Sequence, residues 1–464
     1  MMTIGATATR EAAGSVGADL TRLVRGQVLS PGDTGWEVAR RPWNLQVKQE
    51  VRAVVVAEDA EDVAATVRYA NQYGLSVAAQ PVGHGATTAL RDTILLRTGA
   101  LRGVDVDPVA RTARVAAGAG WADVLGRAGA HGLTGLAGSS TGPSVVGFTL
   151  GGGLSWFGRK YGFTANAVRS AEVVDANGDR YRVDATRDPE LFWALRGGGG
   201  DFALVTELEF DLFPAPLLYG GRLLWPAERA AEVLEAYRET VAIAPEELSL
   251  WYTLLRFPPI PELPEFLRGR AMVAVDATYL GGLANGRELL SRLLAVPGTL
   301  LDTVGALQVA DLGSVAAEPV DPVPAMEYAA LLPELDDDAA DTLLGVAGPH
   351  SGSPLNTVQL RHLGGALARP TIGGGAVGHL EEKFSLTGIG MPMGPGMAEQ
   401  IEAHQALMAD AFAPHASGRI FFTFLGSEES PVAAFPPDVL ARLRDVKRRR
   451  DPHGVIRSNH PVLR

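Results

Sequence analysis

The 464-residue sequence contains no cysteine. This absence excludes disulfide bonds, cysteine-ligated zinc, iron–sulfur clusters and thiol nucleophiles. The nine histidines show no H-E-x-x-H or comparable spacing, so we expect no metal site. No apolar run approaches the length of a membrane span, and residues 1–18 lack the apolar core of a secretory signal. We therefore expect a cytoplasmic protein without a membrane partner.

Basic charge is also in short supply. The formal net charge is -12 at pH 7, and the isoelectric point is near 5.3. Binding to nucleic acid or to an anionic membrane surface needs a basic face, so neither partner is expected. A chain of 464 residues with 46% hydrophobic residues can form two or three domains with an ample core. A small molecule is the expected partner.

One histidine stands alone on a glycine-containing turn. Residues 76–79 have the pattern of a short buried strand, and Pro81-Val82-Gly83-His84-Gly85 follows. A β-branched strand at residues 51–56 and a helix capped by Asp59 and ended by Gly74 precede it. The turn therefore falls at the carboxyl end of a strand in an α/β unit, where ligands bind. Its glycines allow a planar ligand to approach closely and leave the imidazole as the only reactive side chain.

A second stretch, residues 138–153, is rich in glycine and hydroxyl groups and carries no charge. Successive backbone N–H groups in such a loop can bind phosphate oxygens. By default a glycine run is only a loop, and no G-x-G-x-x-G or G-K-[ST] pattern fits here. Residues 138–142 also match the G-x-S-x-G of serine hydrolases. That elbow needs a helix directly after the serine, whereas Pro143 and a strand-like Ser144-Val145-Val146 follow, so a hydrolase is the weaker alternative.

The remaining chain divides near Pro216. Before it, Asn177-Gly178 predicts a hairpin turn between two strands. After it, long strands alternate with amphipathic helices, which predicts an antiparallel sheet covered by helices on one face and free to roof a ligand on the other. The expected strands are residues 248–255, 271–280, 356–363 and 419–425; the expected helices are residues 228–241, 287–294, 397–412 and 438–449; residues 319–324 read as a solvated loop and 372–378 as a mobile glycine loop.

Several of these features occur together in one known family. They are Gly83-His84-Gly85, Ala117-Gly118-Ala119-Gly120-Trp121, residues 147–153, Arg159-Lys160-Tyr161-Gly162, residues 191–199, and Asp451-Pro452 with Asn459-His460. In this order and spacing the sequence resembles the FAD-linked oxidases of the vanillyl-alcohol oxidase type, in the bacterial form of the berberine-bridge-enzyme-like branch. The resemblance covers residues 45–213 and the last twenty or so, and is weaker between them.

The resemblance implies an α+β fold with a two-subdomain FAD-binding domain and a substrate domain of antiparallel sheet covered by helices. Residues 20–215 would form the FAD-binding domain, which residues 418–464 would complete, and residues 216–417 would form the substrate domain. The cofactor would be FAD, covalently attached to His84. The other cofactor-binding residues implied are Val82, Gly83, Gly85, Ala86, Gly138, Ser139, Ser140, Ser144, Val145, Gly147, Thr149, Gly151, Gly152, Val205 and Asn459.

Two departures from the family matter. Many relatives attach the flavin a second time through a cysteine in the glycine loop, so only the histidyl bond is possible here. Many also carry a tyrosine base before the C-terminal helix, where this chain reads Ile420-Phe421-Phe422-Thr423-Phe424-Leu425. Another group must then take the substrate proton, or none is needed, as with a neutral amine. The candidates are Tyr328, His362, His379 and His460.

The expected function is oxidation of a small organic substrate by a histidyl-linked flavin, with molecular oxygen as electron acceptor. Alcohols, amines, sugars and secondary-metabolite intermediates all remain open. An apolar lining that includes Trp251, Phe257, Met391 and Met393 would favour an aromatic substrate over a sugar. Because the usual tyrosine is missing, a protein that binds flavin or a product without turnover is the second alternative.

Overall fold

A computed structural model of the chain describes residues 16–463, so most of the N-terminal segment expected to lack a secretory signal, residues 1–18, lies outside it. The first layer is a small sheet with parallel strands in the order β1-β2-β4-β3, of which only β1 is antiparallel to its neighbour. Its strands are β1 (Gln27–Leu29), β2 (Ala53–Val56), β3 (Val77–Ala79) and β4 (Ile94–Arg97), and its helices are α1 (Val16–Leu23), α2 (Trp36–Arg40) and α3 (Ala60–Tyr73).

The predicted strand–helix–strand unit is confirmed. The Asp59 side chain accepts hydrogen bonds from the N–H groups of Glu61 and Asp62, which gives α3 its N-cap. Gly74, with φ 64°, ends the helix in the left-handed conformation that glycine adopts freely. The chain then enters β3, and the histidine turn follows at its carboxyl end.

A second, antiparallel sheet has the strand order β5-β6-β10-β8-β9. The strands in this region are β5 (Val104–Asp107), β6 (Thr112–Ala116), β7 (Leu133–Thr134), β8 (Val168–Val174), β9 (Arg180–Asp184), β10 (Leu204–Asp211) and β11 (Phe213–Pro214); the helices are α4 (Trp121–Gly129), α5 (Val145–Leu150), α6 (Gly158–Tyr161) and α7 (Pro189–Leu195). Strands β8 and β9 form the hairpin that Asn177-Gly178 predicted.

The large sheet has the order β15-β12-β14-β13-β18-β19-β17, with β16 also on β12, and all its pairs are antiparallel. Its strands are β12 (Tyr219–Pro226), β13 (Leu248–Arg256), β14 (Ala271–Tyr279), β15 (Leu301–Asp302), β16 (Gly305–Ala306), β17 (Met326–Leu332), β18 (Thr357–His362) and β19 (Phe384–Gly390). The helices here are α8 (Ala230–Ile243), α9 (Leu283–Leu289), α10 (Ser291–Leu294), α11 (Gly313–Ala316), α12 (Asp337–Ala347) and α13 (Met397–Phe412), and α14 (Pro437–Arg450) follows near the C-terminus.

Alternation along these strands creates two different faces. Leu250, Tyr252 and Leu254 of β13 pack into the hydrophobic cluster beneath the helices. Trp251 points the other way and stacks on Trp156 of the preceding region, with ring centroids 3.4 Å apart. The predicted antiparallel sheet with helices on one face is therefore confirmed, and its second face meets the N-terminal part of the chain.

Two local predictions were wrong. Residues 419–425 form no strand; Phe422–Phe424 is a single 3-10 turn. Residues 145 and 146 begin helix α5, because the Ser144 hydroxyl accepts the Gly147 N–H as an N-cap and outweighs the strand preference of two valines. This helix starts five residues after Ser140, whose hydroxyl accepts only the Gly142 N–H, so the hydrolase elbow is not formed.

Two predicted loops are held by the rest of the chain. Residues 319–322 are exposed and irregular, as expected of a solvated loop. The carbonyls of Val320 and Val323 nevertheless accept hydrogen bonds from the Trp43 indole and the Leu45 N–H, which fix the loop at two points. In the 372–378 loop, Arg196 donates to the Gly373 carbonyl, while the Ile372 side chain remains exposed.

The C-terminal segment is fixed by a buried ammonium group. Lys447 donates to the Asp451 carboxylate at 2.8 Å and to the carbonyls of Asp201 and Ile456 at 2.6 and 2.5 Å. The side chains of Lys447, Asp201 and Asp451 are each at most 5% exposed. The Asp201 carboxylate in turn accepts the N–H groups of Ser458 and Val462. One charge cluster thus fixes residues 451–462 against the first domain.

We expect Lys447→Met to destabilise the protein by about 3–5 kcal/mol, because it leaves two buried carboxylates without their cation. The free energy of unfolding in urea measures this effect. Arg448→Met is the matched control, because the Arg448–Asp445 ion pair is exposed and should contribute less than about 1 kcal/mol. Equal losses in the two variants would contradict this role of Lys447.

Candidate functional site

The histidine turn is docked onto residues 42–45 by its backbone. The carbonyls of Val82 and Gly83 accept hydrogen bonds from the N–H groups of Trp43 (3.1 Å) and Asn44 (3.3 Å). Gly83 has φ +101°, and a side chain there would strike Pro42 at 2.9 Å. Only glycine fits this position, and the tight turn it permits determines where the imidazole lies.

The His84 ring lies parallel to the Trp43 indole, with centroids 4.3 Å apart and an interplanar angle of 19°. Burial lowers the pKa of His84 to about 4, so the imidazole is neutral at physiological pH. Among residues 16–463, neither ring nitrogen has a hydrogen-bond partner. A neutral imidazole with an unengaged nitrogen is a nucleophile available for attachment to a cofactor.

A network of hydrogen-bonded side-chain amides lies next to the histidine turn. Gln49 and Gln80 exchange two hydrogen bonds of 3.0 and 2.9 Å. Asn459 joins them, because its carbonyl oxygen accepts the Thr87 N–H at 3.0 Å and its amide donates to Gln80 at 3.3 Å. The structure therefore brings Asn459 to the histidine turn, although 375 residues separate it from His84. Its role in binding the flavin stays a prediction.

The glycine stretch passes beside this turn. A side chain built at Gly147 would come 3.8 Å from Pro81. Gly85, Gly142 and Gly147 are all exposed, and a side chain at Gly85 would meet no atom within 4 Å. The glycines of the two segments thus border open space next to the imidazole. A planar cofactor such as FAD fits an open surface of this kind, where side chains would occupy its place.

Buried hydroxyl groups support the same fit. Thr149 and Ser458 each have a buried side-chain oxygen with no hydrogen-bond partner among the described residues. Such groups are costly unless something satisfies them. One lies in the glycine stretch and the other next to Asn459, so both belong to segments that the resemblance assigns to the cofactor. A polar cofactor with phosphate and hydroxyl groups suits them.

Other predicted cofactor residues have different surroundings. Side chains at Gly151 and Gly152 would collide with Thr423 at 2.4 Å and Val377 at 2.9 Å, so these glycines make room for protein. Gly138 likewise faces the Phe148 ring. Ala86, Ser144, Val145 and Val205 are buried, whereas Ser139 and Ser140 are partly exposed. Val205 belongs to β10, and no described contact joins it to the histidine turn; its role remains a prediction.

The second face of the large sheet carries charges. The Arg361 guanidinium lies 4.0 Å from the Trp251 ring centroid and 5.2 Å from that of Phe424, and its Nη2 is 3.9 Å from a Glu318 carboxylate oxygen. The turn that contains Phe424 also packs on Gly151 and Gly199. One short turn thus joins the glycine stretch to this charged face.

Glu327 is a carboxylate on the same face. Its side chain keeps contact with solvent, but the protein that surrounds it removes much of the water from the carboxyl group. This burial, together with the charges of Glu318 and Glu429, raises the pKa of Glu327 to about 7, although Arg361 opposes the shift. A carboxyl group with a pKa near 7 is suited to accept a proton from a substrate.

The four predicted proton acceptors lie elsewhere. Tyr328 packs against the cluster beneath the helices, and burial raises its pKa to about 12. His362 accepts a hydrogen bond from Arg159 at 2.8 Å, and burial followed by the Arg159 charge lowers its pKa. His379 lies 3.9 Å from Glu381 at the surface, and His460 is edge-on to Phe422 at 5.9 Å. Only His460 is near the glycine stretch, through Phe422.

The expected apolar lining is not formed as a unit. Trp251 is buried between Trp156 and Arg361, Phe257 packs with Leu267 and Leu224, and Met393 is 69% exposed. Sequence reasoning missed Trp43, Glu327 and Arg361. For Glu327 a signal existed, since alternation along a strand that contains Tyr328 places its neighbour on the opposite face. For Trp43 no local signal existed, because its partner is 41 residues away.

We expect Gly85→Leu to weaken FAD binding by at least about tenfold, because an intruding side chain in a closely packed site costs about 1–3 kcal/mol. Flavin absorbance per protein, after titration with FAD, measures the change. Gly126→Leu is the control: Gly126 is also exposed with no atom near its missing side chain, but it lies on helix α4. Full FAD occupancy in Gly85→Leu would show that the open space beside His84 is not the cofactor site.

Comparison with known proteins agrees with this geometry. Residues 51–184 match the model of an FAD binding domain. The chain is 25% identical to (R)-6-hydroxynicotine oxidase of Paenarthrobacter nicotinovorans over 95% of its own length and 97% of that protein. It is 30% identical to glucooligosaccharide oxidase of Sarocladium strictum, over 47% of this chain and 45% of that protein.

Solved structures share the whole fold. The 6-hydroxy-D-nicotine oxidase of Arthrobacter nicotinovorans aligns with a TM-score of 0.81 at 22% identity, over 94% of this chain and 97% of that one. The Physcomitrella patens BBE-like 1 protein aligns with a TM-score of 0.83 at 18% identity, over 96% of this chain and 98% of that one.

Within residues 16–463, no helix is long and apolar enough to span a membrane, and no three acidic or histidine side chains are grouped to hold a metal. The chain is therefore an FAD-linked oxidoreductase with an FAD-binding domain, and its fold is that of 6-hydroxy-D-nicotine oxidase and of the berberine-bridge-enzyme-like protein.

Proposed function

We propose that this protein oxidises a small amine or alcohol with an FAD attached to His84, and that molecular oxygen is the electron acceptor. The observation that carries the proposal is the His84 imidazole itself. It is neutral, its ring nitrogens have no hydrogen-bond partner within residues 16–463, and it stands beside glycines that border open space. Stacking on Trp43 occupies a face of the ring and leaves both nitrogens available to react.

The attachment requires an oxidant. One imidazole nitrogen would form a bond to the 8α carbon of the flavin, and the imidazole N–H bond and one C–H bond of the 8α methyl group would break. The two protons and two electrons released would pass finally to molecular oxygen, which would become hydrogen peroxide. The same oxygen would accept the electrons of each later turnover. His84 therefore provides the nucleophilic nitrogen and loses one proton.

When bound, FAD would accept a hydride, that is, a proton with two electrons, from the substrate carbon. The chain must supply a group that takes the proton from the substrate O–H or N–H. Glu327 is the acceptor we propose, because it lies on the same face as Arg361 and has a pKa near 7. Arg361 and Glu318 would orient a polar substrate beside it.

The charges of this face bear on the substrate class. They do not form the apolar lining that would have favoured an aromatic substrate over a sugar. Glu318, Asp276 and Glu327 place three carboxyl groups near the Arg361 guanidinium, and such a balance suits a substrate with an amine or hydroxyl group. The relative that aligns over the whole chain is named an (R)-6-hydroxynicotine oxidase, and its name supports an amine as the first class to test.

We expect His84→Ala to bind FAD but to release it on acid precipitation, whereas the yellow colour of wild-type protein stays with the pellet. The reason is that alanine removes the nucleophile and leaves the surrounding glycines unchanged. Visible absorbance of pellet and supernatant is the measurement. His350→Ala, a change at an exposed histidine, should behave like wild type. Release of the colour from wild-type protein would disprove the covalent bond while leaving an FAD oxidase.

We expect Glu327→Gln to lower kcat/KM by about 10²–10⁴-fold, because an amide cannot accept the substrate proton. Hydrogen peroxide formation measures activity, with (R)-6-hydroxynicotine and a glucooligosaccharide as first probes. In wild type, kcat/KM should rise with pH and level off above about 7, the pKa of Glu327, and this limb should disappear in the variant. Tyr328→Phe is the control, since Tyr328 faces the helices. If Tyr328→Phe were the inactive variant, the roles of these neighbours would be reversed.

The stabilities of wild type and Glu327→Gln can also be compared without substrate. Because the pKa of Glu327 is raised from 4.5 to about 7 in the folded protein, the folded state holds an extra proton between these values. Stability must therefore fall as pH rises through this range. Glu327→Gln cannot ionise and does not lose this stability. Its unfolding temperature should therefore rise relative to that of wild type as the pH increases from 4.5 to 7. If the difference in unfolding temperature between variant and wild type stayed constant across this range, the pKa of Glu327 would not be raised by its surroundings.

A further inference from the structure

The indole of Trp43 is held independently of the imidazole on which it stacks. Its Nε1 donates to the Val320 carbonyl at 3.0 Å, and its backbone N–H donates to the Val82 carbonyl at 3.1 Å. The next residue, Asn44, exchanges two hydrogen bonds with Ala325, of 2.9 and 3.0 Å. The ring is therefore fixed to the histidine turn on one side and to residues 320–325 on the other.

Trp43 contributes little to the core. It belongs to none of the hydrophobic clusters formed by the described residues, although the nearby Trp36 belongs to one. It is only partly buried and borders a surface groove lined by Pro42, Pro81 and Pro322. A tryptophan outside the core is unusual as a packing residue. The ring contact described for its indole is with His84.

We propose that Trp43 is a positioning residue that holds the His84 imidazole in the orientation required for flavin attachment. Stacking covers a face of the imidazole and leaves its edge free, and both nitrogens lie at that edge. Without the indole the imidazole could rotate about two side-chain bonds, and its nitrogen would point correctly only part of the time. Fixing such a geometry in advance is a known source of large rate effects.

This inference rests on the proposed histidyl bond, and it concerns the rate of bond formation. Trp43 takes no part in the exchange of atoms and electrons described above. It would act through His84 alone, so the binding of FAD before attachment should be little affected. The rate of attachment therefore reports on the orientation of His84, whereas the occupancy of FAD reports on non-covalent binding.

The experiment follows attachment over time. Wild type, Trp43→Ala, Trp43→Leu and Trp43→Phe are produced under riboflavin limitation and then supplied with FAD in air. Samples are denatured at intervals, and flavin fluorescence in the protein band after gel electrophoresis gives the covalent fraction. Flavin absorbance of the native samples gives total FAD, and thermal unfolding reports whether each variant is folded.

We expect Trp43→Ala and Trp43→Leu to form the bond at least about tenfold more slowly than wild type with FAD bound, and Trp43→Phe to remain within about threefold. Leucine supplies apolar volume without an aromatic face, while phenylalanine supplies the face without the hydrogen bond to Val320. Should Trp43→Ala fail to fold, the comparison of leucine with phenylalanine decides.

Attachment at the wild-type rate in Trp43→Leu would overturn the role of the indole. Equally slow attachment in Trp43→Phe would assign the effect to the hydrogen bond with Val320 and would overturn the stacking. If wild type forms no covalent flavin, the proposed histidyl bond itself is wrong. Failure of the proposed histidyl bond can be distinguished from failure of the role of Trp43, because only in the former does wild-type protein lack covalent flavin.

Discussion

The buried ammonium of Lys447 is the interaction on which the candidate site depends. It joins helix α14 to Asp201 and to the start of the C-terminal segment. That segment continues along β3, with Val77 bonded to Val455 and Arg457, and then delivers Asn459 to the base of the histidine turn. A buried ion pair adds little net stability compared with apolar packing, but it requires one arrangement of its partners. Here the arrangement brings the C-terminal segment to β3 and the histidine turn, and the candidate site lies where they meet.

Side chains alternate along the strands of the large sheet, so its two faces have different compositions and different roles. One face is hydrophobic and lies under helices, so it supplies the packing that holds the sheet. The other carries Arg361, Glu327 and the buried Arg222–Asp276 pair, whose polar atoms are 2.6 and 2.9 Å apart. Charged groups are costly in a core and are retained where a polar ligand or reaction needs them. The adjacent residues Glu327 and Tyr328 therefore have opposite environments, and a shift of register by one residue would exchange them.

Features with local causes could be predicted from the sequence. The Asp59 cap, the Gly74 stop, the Asn177-Gly178 hairpin and the ends of helix Met397–Phe412 depend on neighbours along the chain, and all were predicted. The site itself was only half predictable. The glycines around His84 are a local signal, but the stacking of Trp43 depends on a turn 41 residues away. The proton acceptor was predicted among Tyr328, His362, His379 and His460 by chemical type alone, and the direction of each side chain, which alternation along a strand determines, was not considered.

Residues 318–325 connect the two halves of the site. Glu318 lies beside Arg361 on the charged face, Val320 accepts the hydrogen bond of the Trp43 indole, and Ala325 leads into β17 two residues before Glu327. A sequence that reads as a solvated loop thus touches both the histidine turn and the residues proposed to handle the substrate. Backbone carbonyls make most of these contacts, so they constrain position without requiring a particular side chain. This explains why composition alone marks the segment as a loop, while its hydrogen bonds make it the part that sets the charged face relative to His84.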